Sequence, residues 1–126
     1  MPGFAKSPPE LVERFNSITA DAPWAERRQM FGYPCLFVGG NMVTGLHESR
    51  WFVRLGEAEQ VELLAQDGAG PFEVMPGRAM AGYVVLPAAV IADRAEVRAW
   101  VEQAIEFGRN LPPKTPKSAK PKREPA

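Results

Sequence analysis

The sequence predicts a two-layer α+β domain, an antiparallel sheet covered on one face by helices. Three observations carry that reading. Apolar residues recur at helical spacing in three separated stretches. Between the first two stretches lie three short extended runs joined by tight turns, too close together for the long crossovers that parallel pairing needs. The 126-residue length fits one domain, and 45% apolar with 24% charged residues is the balance of a globular chain.

The elements follow in order. Ser7-Pro8-Pro9-Glu10 reads as a capping box with prolines in the first turn, where a missing N–H costs nothing. Leu11, Phe15 and Ile18 then predict a helix over 8–20 with one buried face, ended by Asp21-Ala22-Pro23. Arg28-Gln29-Met30-Phe31 is a short extended run broken by Gly32 and Pro34. Strands are expected at 35–38, 42–47 and 50–55, the first two joined by Gly39-Gly40-Asn41, residues that tolerate the positive φ of a hairpin turn. Ala58, Val61 and Leu64 or Ala65 mark the inner side of a helix over 57–66, stopped by Asp67-Gly68. Two more strands are read at 71–75 and 83–86, with a loop over 76–80 between them. Asp93 caps a last helix, Glu96 completes the capping box, and Val97, Trp100, Val101, Ala104 and Ile105 form its apolar stripe. The predicted order is α-β-β-β-α-β-β-α.

Composition changes at Leu111. Residues 111–126, with five prolines and little that can pack, are expected to be a disordered basic tail following a folded domain at 1–110. The formal net charge of zero is a cancellation: 10 basic and 14 acidic side chains precede Lys114, and 5 basic and 1 acidic follow from it. The folded part is thus a poor polycation, and nucleic-acid contact is expected only through Lys114, Lys117, Lys120, Lys122 and Arg123. Those residues have no interleaved aromatics, so contact with a nucleic-acid backbone would be weak and nonspecific, with a log–log salt slope of about −4 to −5. The same segment also fits a solvated solubility tail.

One Cys excludes an internal disulfide, and one Cys with one His cannot build a structural zinc site. No cofactor or metal site is expected. Cys35 and His47, on adjacent predicted strands, form the one conceivable nucleophile–base pair, but Cys35 lies in an apolar run that favours an inert thiol. The carboxylates sit on helices at solvated-face spacing. Gly39-Gly40 and Gly77-Arg78 precede strands rather than helices and fail the geometry of a phosphate loop. The chain is therefore expected not to be an enzyme, with one using Cys35 or His47 the remote alternative. The uncharged stretch 29–46 is broken by Gly32, Pro34, Gly39, Gly40 and Gly45 and reads as strands rather than a membrane span. No secretory signal is visible at the start, so a cytoplasmic protein with no membrane partner is expected.

Alternation along 50–55 puts Arg50, Phe52 and Arg54 on the sheet face opposite Trp51, Val53 and Leu55. With helices on one face only, Phe52 and one of Leu36 or Phe37 are expected to stay exposed, flanked by arginines, a composition common at partner surfaces. A homodimer through that open face is the corresponding expectation.

Arg28-Gln29-Met30-Phe31-Gly32-Tyr33-Pro34, Gly40-Asn41-Met42, Gly45-Leu46-His47, Gly77-Arg78-Ala79-Met80 with Tyr83 and Leu86-Pro87, and Leu111-Pro112-Pro113-Lys114 together resemble the TfoX/Sxy family, specifically its N-terminal domain standing without the family's C-terminal one. The resemblance covers roughly residues 8–114. It implies a bacterial cytoplasmic protein with a secretion-chaperone-like α+β fold. It also implies a regulator of competence genes acting through protein–protein contacts, with transcription machinery as the partner class. No catalytic residues come with it. Arg28 and Arg78 are its polar motif residues with a candidate partner role, beside Arg50, Phe52 and Arg54.

Overall fold

A computed structural model describes residues 7–20, 25–30, 32–75 and 77–112. Helix α1 (Pro9–Thr19) begins after Pro8, whose carbonyl accepts from both the Leu11 and the Val12 N–H. That double acceptance replaces the expected capping by Ser7: the helix has no side-chain cap, and Pro9 in the first turn brings no N–H to satisfy. Leu11, Phe15 and Ile18 form its buried face, as their spacing predicts.

Four strands follow as an antiparallel meander, β1 (Glu26–Met30), β2 (Tyr33–Val38), β3 (Asn41–His47) and β4 (Arg50–Arg54). After α2 (Glu57–Leu64) come β5 (Gly70–Met75), β6 (Arg78–Val85), the short α3 (Ala88–Ala92) and α4 (Arg94–Arg109). The six strands form one antiparallel sheet in the order β1-β2-β3-β4-β6-β5. The α+β class and the element order match the expectation, with two additions. Residues 28–30 of the expected extended run belong to a full strand, because β2 continues through Pro34 and pairs with β1 over five positions, while Phe31 lies outside the described residues. A single turn of helix, α3, precedes α4. The expected loop over 76–80 is shorter, since β6 already starts at Arg78.

One sheet face carries the main core. Leu36, Val38, Val43, Leu46, Trp51, Val53 and Val84 pack against Phe15 of α1, Leu63 of α2, Val90 of α3 and the whole predicted stripe of α4. Phe15 and Trp51 meet with ring centroids 5.1 Å apart. The buried Trp51 indole donates to Thr44 Oγ1 (3.0 Å), which donates in turn to the Phe52 carbonyl (2.7 Å), so no polar group of this trio is stranded. A Cβ on Gly108 would lie 2.5 Å from Val43 Cγ1 and 3.2 Å from Val38 Cβ, so glycine is what lets α4 settle this close to β2 and β3. Val43 is the unpaired residue of a β3 irregularity, where Leu36 faces Thr44 and Phe37 faces Met42.

Helix α2 departs from its predicted orientation. Leu63 is its buried residue, while Val61 is 70% exposed and Leu64 41%. Polar anchors turn it: Gln60 Nε2 donates to the Leu55 carbonyl (2.8 Å) and Gln66 Nε2 to Glu96 (3.4 Å), and Leu63 lies between them. Asp93 caps α4 as predicted, its Oδ1 accepting from the Ala95 and Glu96 N–H groups at 3.1 Å each. The Glu96 side chain, however, is engaged by Gln66 instead of closing the capping box.

Candidate functional site

The helix-free sheet face carries the second apolar cluster, Cys35, Phe52, Phe72 and Tyr83, with Phe37, Met42, Met80 and Val85 packed against it. The route to it starts from pairing order. β5 is the last strand of the sheet, yet Phe72 stacks on Phe52 of β4 at 4.3 Å and meets the His47 ring of β3 at 5.7 Å. A flat sheet cannot bring those residues together, so the β5–β6 hairpin folds back over this face. The register between β5 and β6 shifts twice, and Gly82 has a positive φ of 89°, which is where the fold-back is accommodated.

This overturns the expected exposure of Phe52. The residue is on the predicted face but only 2% exposed, sealed by Phe72 above and by Tyr83 edge-on at 5.7 Å. A homodimer built on an exposed Phe52 loses its anchor. The signal missed in sequence was Phe72, which reads as an ordinary strand residue until the hairpin bends.

Arginines cap the cluster. Arg50 lies over Phe72 (5.0 Å), donates from Nη1 to the Glu73 carbonyl (2.7 Å), and from Nη2 to His47 Nδ1 (2.7 Å), tying β3, β4 and β5 together. Because a guanidinium only donates, His47 accepts at Nδ1 and is neutral in this arrangement. Burial, then the Arg50 charge, pushes its pKa down. Arg54 lies over Tyr83 (5.5 Å) and Phe107 (5.7 Å), bridging the sheet and α4. Tyr83 donates to the Met42 carbonyl (2.8 Å), and burial raises its pKa. Arg50 and Arg54 are thus committed to cation–π and hydrogen-bond partners within the chain.

Cys35 and His47 do not face each other as a nucleophile–base pair. Cys35 is opposite Gly45, its Sγ contacts the Tyr33 carbonyl (3.8 Å), and burial pushes the thiol up to about 11, so it stays protonated at neutral pH. A shallow concavity along α1, lined by Pro9, Glu10, Val12, Glu13 and Asn16, and a smaller one of about 160 Å³ between α2 and α4 both lie away from these two residues. Among the described residues, no group of three or more His, Cys, Asp or Glu is placed to hold a metal, and no helix is long and apolar enough to cross a membrane.

Arg28 is different. On β1, Glu26, Arg28 and Met30 share the helix-free face, since they pair with Phe37, Cys35 and Tyr33. Arg28 lies over the Phe37 ring (5.0 Å) and bonds Glu26 (3.1 Å), yet its side chain remains 52% exposed. Met30 beside it is 38% exposed. Every residue of β1 is exposed. Residues 17–108 match the family model for the TfoX N-terminal domain. The chain belongs to the TfoX N-terminal domain family. No curated protein and no solved structure matches it. For this TfoX-type domain the partner-surface candidates therefore divide: Arg28 is at an accessible rim, Arg50 and Arg54 hold the fold, and Phe52 is buried. Arg78 lies in β6 next to the turn at Gly77, with its backbone paired to Met75. Lys114, Lys117, Lys120, Lys122 and Arg123 lie outside the described residues. Glu26 and Met30 were not singled out from sequence, although their alternation with Arg28 is visible there once 26–30 is treated as a strand.

Proposed function

We propose that this TfoX-type domain is a non-enzymatic regulatory protein that acts through protein–protein contacts, with the β1 rim as its docking surface. The observation that carries this reading is Arg28, a half-exposed guanidinium lying over Phe37 and beside the exposed Met30, a prearranged cationic and apolar surface. Membership of the TfoX N-terminal family supports a place among bacterial cytoplasmic proteins of the TfoX/Sxy competence regulators, with transcription machinery as the partner class. Affinity capture from the protein's own cell extract tests it. The wild-type chain and an Arg98→Glu control on the exposed face of α4 are expected to recover the same partner, and Arg28→Glu to recover at least tenfold less. Equal recovery by all three overturns the reading.

The split charge favours a second reading, a nucleic-acid-associated accessory protein whose basic tail binds backbone. Removing residues 114–126 keeps the bond from Asn41 to the Pro112 carbonyl and should abolish low-salt duplex binding. Duplex binding that survives the truncation rules this reading out.

A further inference from the structure

We infer that β1 accepts an extended acidic peptide as an added strand, antiparallel or parallel, on the open edge of the sheet. This rests on the proposed docking role of the β1 rim and assigns it a mode and a partner chemistry. Among the described residues β1 ends the strand order and pairs only with β2, so one row of its backbone N–H and C=O groups points away from the sheet. β1 contains no proline, and its register with β2 runs unbroken from Glu26 to Met30, so its backbone row is uninterrupted; its guard is charge, Glu26, Arg27 and Arg28, which repels a like-charged strand rather than an acidic one. All five residues are exposed.

Side-chain chemistry selects the occupant. Arg27 and Arg28 project to opposite faces, Arg27 donating to Asn16 of α1 (2.7 Å) and Arg28 lying over Phe37. Glu26, the strand's one acid, is already engaged by Arg28. A second copy pairing β1 to β1 brings arginines against arginines, and like charges directly opposite destabilise a strand pair. The chain's own basic tail is disfavoured for the same reason. An acidic residue on an added strand, opposite Arg28, meets its exposed cation at cross-strand distance, and an apolar residue two positions along covers Met30. Backbone bonds then supply affinity and this acidic–x–apolar alternation supplies specificity.

The test is a titration of the full-length, isotope-labelled chain with a short peptide repeating Glu-Thr-Val-Thr, which places glutamate and valine two apart on one strand face, and with its Lys-Thr-Val-Thr counterpart, followed by amide chemical shifts. The glutamate peptide should bind saturably with the largest shifts at 26–30 and slow amide exchange there. Arg28→Glu should weaken it at least tenfold and reverse the preference toward the lysine peptide, while the unperturbed remainder of the spectrum shows that the variant is folded. Equal binding of the two peptides, no binding, or shifts centred elsewhere overturns the inference. So does sedimentation showing a dimer that Arg28→Glu dissociates, which would seat a second copy on β1. Loss of partner capture by Arg28→Glu together with failure of the peptide would leave the rim as the docking surface and remove only strand addition.

Discussion

At Gly45 a single methyl group decides how the helix-free face packs. A Cβ there would lie 2.6 Å from Cys35 Sγ, 2.9 Å from the Phe52 ring and 3.1 Å from the Pro34 carbonyl. Gly45→Ala is expected to destabilise the fold by about 1–3 kcal/mol through overpacking, seen as a lower denaturation midpoint at unchanged slope. His47 gives the residue scale its pH dependence. Folded His47 is held neutral, its pKa below the ordinary 6.5, so its contribution to stability is complete above pH 6.5. As pH falls below that value the unfolded chain takes up the proton first, and stability is lost until folded His47 is protonated as well. His47→Gln, which keeps an acceptor for Arg50, should lose less stability than wild type between pH 7 and 5 in parallel thermal melts. Matching curves would contradict the assignment. Neither effect was legible in sequence: Gly45 there is one more glycine in a strand, and His47 has no visible partner until Arg50 turns back onto it.

Elements were legible where period and cap agreed. α4 shows both, a five-residue stripe and Asp93 with two N–H groups on Oδ1. Asp93→Ala should cost about 1 kcal/mol. α2 shows the opposite case. Its apolar spacing points to Ala58, Val61 and Leu64, but the anchors at Gln60 and Gln66 rotate Leu63 inward instead. Leu63→Ala is expected to cost about 2–5 kcal/mol and Val61→Ala to stay within about 0.5 kcal/mol, compared by chemical denaturation. The reverse ranking would show α2 to be seated the other way round. Eight residues give too few turns for period alone to choose a face, and the deciding hydrogen bonds reach Leu55 and, at a separation of thirty residues, Glu96. β1 was legible only in part, because Pro34 interrupts the sequence signal at the residue opposite Gln29 without interrupting the pairing.

The whole molecule is an asymmetric sandwich: helices cover one sheet face, and the chain's own β5–β6 hairpin covers much of the other. The two-layer class follows from element order, which local periodicity reports. The fold-back does not, because it depends on Phe72 reaching Phe52 and His47 across the sheet, and no short-range pattern encodes that contact. With Phe52 sealed and Arg50 and Arg54 tied into the fold, Arg28 and its neighbours on β1 are what stays accessible of Arg28, Arg50, Phe52 and Arg54. The most direct measurement is amide hydrogen exchange on the full chain, alone and bound to the partner captured from its own extract. Docking at the β1 rim predicts new protection concentrated at 26–30. Protection confined to 113–126, with exchange at 26–30 unchanged, would contradict it.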